Sequence, residues 1–225
     1  PMDHVSRLHR KKPIPDAFTI DEVQDIRAAI KAWESRCISS GPRPDRQLGQ
    51  IVEVMLGTSA RIGEVLAIRV QDIHLDDPIP TARIAGTIVS RKGELTHRQD
   101  HPKTDRSVSR VALPSFALHA IRSRLLRSGE TDPDSLLFST RARTPHTTNN
   151  VRRLLRDVMD DAGIENVTPH RFRRTVATVV NDAQDAPELL GHTDPRITMQ
   201  HYIQRNETVN PLTAEHLERA FGKAD

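Results

Sequence analysis

The stretch from Thr168 to Tyr202 leaves this chain few ways to fold. Three breaks punctuate it, each completed by a proline: Thr168-Pro169, Ala186-Pro187 and Asp194-Pro195. A proline fits the first turn of a helix because the amide it lacks has no partner there, so each break predicts a helix start. Phe172, Val176, Val179 and Val180 then recur at helical spacing, and Gly191 closes the second helix. Three short helices folding back on one another would bring His170, Arg173, His192 and Tyr202 to one neighbourhood. His170 and Arg173, three apart, share a helix face. Two imidazoles, a guanidinium and a phenol suit gripping one phosphate and attacking it.

The rest of the chain is read around that stretch. Its 225 residues suffice for one large domain or two small ones, and 36% hydrophobic content supports a real core. The net charge of +3, with a pI of about 9.4, is a mild lean towards a polyanionic partner. The basic residues are clustered, as in RLHRKK at 7–12 and RRLLR at 152–156, although most such runs are solvated faces. The single cysteine, Cys37, excludes an intrachain disulfide and a thiolate metal cluster, and fits a reducing, cytoplasmic setting. No apolar run is long enough for a membrane span or a signal peptide.

Residues 1–16 are basic, carry three prolines and read as a linker to an upstream domain; the chain opens on Pro1 rather than Met. Thr19 and Glu22 form a capping-box pattern ahead of a helix whose Val23, Ile26, Ala29, Ile30 and Trp33 share one face. Residues 39–47 make a polar loop. Leu48, Ile51, Val52, Met55 and Leu56 form the next apolar stripe, ended by Gly57, and Thr58 or Ser59 is expected to cap a helix over ARIGEVLAI. Arg61, one turn from that cap, opposes the helix dipole and calls for an anionic partner; the plain alternative is a surface pair with Glu64.

From 79 to 113, ARIAGTIVS and SVSRVALP are rich in β-branched residues and predict strands of a small antiparallel sheet, separated by the polar RKGELTHRQDHPKTDR with Lys92 and Lys103. Helices follow from Ser115 to before Gly129 and from Thr148 to before Gly163, with a short buried LLF at 136–138 between them. A last helix runs from near Thr213, with Leu217, Ala220 and Phe221 on one side. The expected fold is mainly α with a small antiparallel β-sheet, an α+β arrangement.

Together these pieces resemble the tyrosine recombinases, the phage integrase family. LGTSARIGEVLAIRVQDI resembles the family's first signature, HRFRRT its His-x-x-Arg box, LGHTDPRITMQHY its closing box with the nucleophile, and HPKTDRSVSRVALP the strand pair that carries its lysine. The resemblance covers about residues 18–205. One box alone is a weak signal; four in family order are a strong one. The spacing from His192 to Tyr202 is one residue longer than the family pattern.

The resemblance implies a role for each matching residue. Arg61 and Arg173 match the arginines that clamp the scissile phosphate, where a planar guanidinium can bind two oxygens and stays charged. His170 and His192 match further phosphate-contacting positions. Lys103 matches the lysine that protonates the leaving 5′ oxygen, with Lys92 the competitor in the same loop. Tyr202, the chain's only tyrosine, matches the nucleophile, and Glu64 a structural acid beside the first arginine. Each of these residues taken alone has an ordinary reading, as a core tyrosine, a solvated lysine or a surface histidine; the pattern favours the functional one. His201, His9, His97, His101, His119 and His146 lack such context, and no metal site or cofactor is expected.

The implied activity is site-specific cutting and rejoining of duplex DNA through a 3′-phosphotyrosine, in phage or mobile-element integration and excision. The alternatives are a type IB topoisomerase-like nicking and closing enzyme, or a DNA-binding regulator that kept the fold without catalysis. The implied partners are duplex DNA, further copies of the chain in a tetramer on DNA (a monomer in isolation), and an accessory excision factor, with no membrane. Residues 17–225 would be the catalytic domain, with a core-binding domain upstream. Residues 213–221 would dock in trans on a neighbouring protomer.

Overall fold

The computed structural model describes residues 17–36, 47–91, 93–100, 109–185 (backbone alone for 181–185) and 211–222. Its helices are α1 (Ile20–Glu34), α2 (Gln47–Thr58), α3 (Ile62–Val65), α4 (Ser115–Ser128), α5 (Thr148–Asp161), α6 (Pro169–Asp185) and α7 (Pro211–Phe221). Its strands are β1 (Ile73–His74), β2 (Thr81–Ile84), β3 (Thr87–Val89), β4 (His97–Gln99) and β5 (Ser109–Ala112). The architecture is mostly helical with small antiparallel β-structure. No helix among the described residues is long and apolar enough to cross a membrane.

Helix α2 is the hub. Its sequence, QLGQIVEVMLGT, is apolar nearly all round, which makes sense only for a helix enclosed by others. It packs against α1, α3, α4, α5, α6 and α7. Leu48, Ile51, Val52, Val54, Met55 and Leu56 are all buried in one continuous core with Ile26, Phe138, Phe172 and Phe221. Gly57 permits the close approach of α4: a Cβ there would lie 2.4 Å from the Cβ of Ala117. The helix does not end at Gly57 but runs on to Thr58.

Local chemistry sets the other helix ends. Thr19 and Glu22 form the expected reciprocal capping box, with Oγ1 accepting from the Glu22 amide at 3.1 Å and Oε2 from the Thr19 amide at 2.7 Å. Pro114, not Ser115, is the N-cap of α4, whose far end closes on left-handed Gly129. Thr147 caps α5, accepting from the Asn150 amide at 3.0 Å, and left-handed Gly163 follows it. Helix α6 begins at Pro169 as the sequence predicts, but it is 17 residues long rather than short. The two helix starts expected at Ala186-Pro187 and Asp194-Pro195 lie outside the described residues, as do residues 1–16.

The β-residues divide between two sheets rather than one. β1, β2 and β5 form a three-stranded antiparallel sheet, and β3 and β4 a separate hairpin. ARIAGTIVS therefore breaks at Ala85-Gly86 into strands of different sheets. Asp72, 1% exposed, ties the two sheets together. Its carboxylate lies 3.3 Å from Arg69 Nε, 3.6 Å from Arg83 Nη1 on β2 and 3.5 Å from Arg98 Nη2 on β4.

Helix α7 packs in cis. Leu217 and Phe221 are fully buried in the core of their own chain. Arg27 of α1 donates to the Phe221 carbonyl at 2.6 Å while pairing with Glu53 of α2. The apolar face of residues 213–221, expected to dock in trans, is covered within the single chain.

Candidate active site

Two loop-to-helix junctions build the described part of the site. The first is the turn from α2 into α3. Thr58 and Ser59 do not cap α3, contrary to the sequence expectation. The Thr58 hydroxyl bonds backwards, to the Val54 carbonyl of α2 at 2.6 Å, and accepts the Ala60 amide at 3.3 Å. Ser59 adopts a left-handed backbone with φ 55°. Helix α3 consequently starts one residue after Arg61 and spans only four residues of the predicted ARIGEVLAI helix.

Arg61 occupies the N-cap position, where a positive charge opposes the dipole. Glu64 answers that mismatch. Its Oε2 accepts the Arg61 amide at 2.7 Å, and its Oε1 pairs with Arg61 Nη1 at 2.9 Å. The Glu64 side chain is 18% exposed and the Arg61 side chain 69%. The carboxylate steadies the guanidinium from its base and leaves most of it facing solvent.

The second junction is the start of α6. Phe172 and Val176 drive one face into the core, and the Phe18 ring packs on Phe172 with centroids 5.1 Å apart. The Arg171 guanidinium lies over the Phe18 ring, 4.0 Å from its centroid. Thr175 Oγ1 accepts the Phe18 amide at 2.8 Å and donates to the Arg171 carbonyl at 2.9 Å. These contacts fix the rotation of α6. Arg173 then points to the α2–α3 turn, where its Nη1 donates to the Ser59 carbonyl at 2.5 Å. Only 8% of Arg173 is exposed. Both arginines are thus anchored at one turn, Arg173 buried on the Ser59 carbonyl and Arg61 paired with Glu64 but mostly exposed.

His170 sits in the first turn of α6 and is exposed. It lies on a groove of about 820 Å³ whose other wall is α5, lined by Asn149, Asn150, Arg152, Arg153 and Arg156. Three arginines of the RRLLR cluster therefore line the same groove as His170.

Arg98, from the polar segment between the predicted strands, is a half-hidden cation next to this region. Its Nε donates to the Ala67 carbonyl at 2.7 Å, just beyond α3, and it pairs with Asp100. Its guanidinium covers Gly86, where a Cβ would come within 2.7 Å. Burial lowers the Arg98 pKa below the usual arginine value, Arg69 adds to that, and Asp72 opposes it.

Lys103, Lys92, His192 and Tyr202 lie outside the described residues, as do His201, His9, His101 and Cys37. Trp33 packs half-buried against the core. Among the described residues no group of His, Cys, Asp or Glu could hold a metal ion. Sequence reasoning overlooked Ser59 except as a cap, and overlooked Asp72 and Arg98; a serine or an aspartate in a loop carries no local signal of such contacts.

Known proteins resemble this chain in sequence and in fold. The model of the phage integrase family fits residues 17–208, and the chain belongs to that family. It is similar to the tyrosine recombinase XerA of Pyrococcus furiosus, 26% identical over 219 residues, covering 95% of this chain and 63% of the relative. It is similar also to the tyrosine recombinase XerC of Vibrio vulnificus, 24% identical over 231 residues, covering 100% of this chain and 62% of the relative. The chain thus spans less than two thirds of the length of these curated relatives. In fold it is similar to the Tn1549 transposon integrase in complex with a circular intermediate DNA, with a TM-score of 0.62 at 15% identity over 94% of this chain and 67% of that one. The crystal structure of XerA recombinase gives 0.55 at 22% identity, over 98% and 68%.

Proposed function

We propose that the chain is the catalytic part of a site-specific tyrosine recombinase acting on duplex DNA, in the integration and excision of a phage or other mobile element. One observation carries the reading: Arg173, though 114 residues from Ser59 in sequence, bonds the turn that presents Arg61. Two arginines anchored at one turn would clamp an anion, and the groove beside His170 carries Arg152, Arg153 and Arg156. The named relatives are recombinases, and solved structures of the same fold are described in complex with DNA. In the bacterial cytoplasm such a surface would meet DNA directly.

In this reading the scissile phosphate docks on Arg61 and Arg173, which offset the charge that builds on its non-bridging oxygens. His170 and His192 donate to those oxygens or take the phenol proton. The Tyr202 oxygen attacks phosphorus, the bond to the 5′ oxygen breaks, and Lys103 delivers a proton to that leaving oxygen. The resulting 3′-phosphotyrosine conserves the diester energy, so a second 5′ hydroxyl can reverse the step on a new partner. Glu64 orients Arg61 and does not react. Recombination joins two duplexes, so four protomers would assemble on DNA; α7 would dock on a neighbour only by giving up its contacts in cis.

The test uses nicked duplexes randomised around the nick, incubated with the intact chain. A covalent protein–DNA adduct is expected, absent with Tyr202→Phe. The recovered sequence, supplied as two duplexes, should give recombinant products. Relaxation without recombinants would favour a nicking-closing enzyme, and DNA binding without any adduct a regulator.

A further inference from the structure

Three non-glycine residues among those described have a left-handed backbone: Ser59, Arg143 and Asn166. Arg143 and Asn166 are exposed turn residues. Ser59 alone is buried, at 2% exposure. A buried side chain in this conformation is crowded against its own backbone, and such strain persists only where surrounding contacts over-determine it.

Those contacts are visible. The Ser59 amide is held by the Met55 carbonyl at 2.9 Å, as the last turn of α2 requires. The neighbouring Ala60 amide is held by the Thr58 hydroxyl. Had Ser59 continued the right-handed helix, its carbonyl would run along the α2 axis. The left-handed turn swings it off that axis, where Arg173 takes it at 2.5 Å. Two residues later the chain reaches Arg61.

We propose that Ser59 is a positioning residue for the strand-cutting reaction: its left-handed backbone aims the carbonyl that holds Arg173 beside Arg61, so that the clamp is assembled before DNA binds. The inference rests on the functional reading above, in which both arginines face one phosphate. It predicts a dependence on backbone preference at position 59, not on the serine hydroxyl. Glycine adopts positive φ freely and keeps the turn. Threonine keeps the hydroxyl and adds one methyl, whose β-branch disfavours the conformation, and valine disfavours it without the hydroxyl.

The experiment compares the intact chain with Ser59→Gly, Ser59→Thr and Ser59→Val on the nicked duplex recovered above, at saturating DNA. A second duplex carries a methylphosphonate at the scissile position, a neutral diester that needs less cationic stabilisation. Ser59→Gly should cut at the wild-type rate. Ser59→Thr should cut about tenfold more slowly with unchanged DNA affinity, a partial loss of a preorganised charge contact. The deficit should largely vanish on the methylphosphonate. Thermal melting monitors folding; if Ser59→Val does not fold, Ser59→Thr, which keeps the hydroxyl, decides. A wild-type rate in Ser59→Thr, or an equal deficit on both duplexes, overturns the proposal while leaving the recombinase reading intact. A wild-type chain that forms no adduct overturns both.

Discussion

Glu218 of α7 takes both the backbone amide and the hydroxyl of Ser115, each at 2.6 Å, and so closes the N-terminus of α4 from another helix. A carboxylate here suits the helix dipole and satisfies an amide that Pro114, the N-cap, cannot serve with its side chain. Glu218→Ala should lower stability by about 1–2 kcal/mol, the usual cost of losing a cap. Urea unfolding measures it, and a change within error would mean that water replaces the carboxylate at no cost.

The two arginines should separate in their effects. Arg61 is mostly exposed and bonded to Glu64, so Arg61→Ala should change stability by less than about 1 kcal/mol while abolishing adduct formation. Arg173 is buried on the Ser59 carbonyl, so Arg173→Ala should abolish the adduct and also cost about 1–3 kcal/mol for the orphaned acceptor. Adduct yield on the nicked duplex, set beside urea melts, reads both. Normal cutting by Arg61→Ala would sink the clamp.

Asp72 should be the costliest surface-remote polar residue to lose. Its carboxylate is buried among Arg69, Arg83 and Arg98, and Arg98 is itself desolvated and repelled by Arg69. Asp72→Ala should cost about 3–5 kcal/mol, because it removes the buried carboxylate from among three arginines and leaves Arg98 only the exposed Asp100 as an ionic partner. Adding Arg98→Met should recover part of that loss. Chemical denaturation of the single and double variants checks the non-additivity, and simple additivity would show the groups to be independent.

Arg152, Arg153 and Arg156 line the groove beside His170 and are exposed on α5. Replacing all three with alanine should weaken DNA binding at low salt and flatten the log–log salt dependence by about 2 to 3, near 0.9 for each phosphate no longer neutralised. Folding should be unaffected. Titrations at several salt concentrations measure the slope, and an unchanged slope would place the DNA elsewhere.

Where sequence predicted structure well, the cause is local. Thr19 and Glu22 sit three apart and satisfy each other, so their capping box needs nothing from the rest of the chain. Pro169 marks the start of α6 for the same reason, and Gly129 and Gly163 follow α4 and α5 as punctuation predicts. Where the prediction departed, distant partners decided. The Thr58 hydroxyl looked like a cap because nothing in sequence shows that it bonds backwards to Val54. ARIAGTIVS read as one strand because the guanidinium of Arg98, twelve residues on, is what covers Gly86. The cis packing of α7 could not be read because nothing in its own letters says that α1, α2, α4 and α6 cover it.

The site divides in the same way. Arg61, Glu64, His170 and Arg173 could be picked out because their residue types match a family pattern. The bond from Arg173 to the Ser59 carbonyl could not be read, since a backbone oxygen has no letter of its own.

Helix α2 touches every other long helix of the described chain, and its last residues run straight into the turn that carries Arg61. The turn that holds half of the proposed clamp should therefore lie in the part of the molecule that opens last. Amide protons over residues 51–56 should exchange with solvent only through complete unfolding, and at the same rate as those of Phe172 and Val176. If the chain cuts DNA as proposed, a grip built this way would not be adjusted by local loosening, and a switch thrown on assembly would have to act from the other side of the reacting bond.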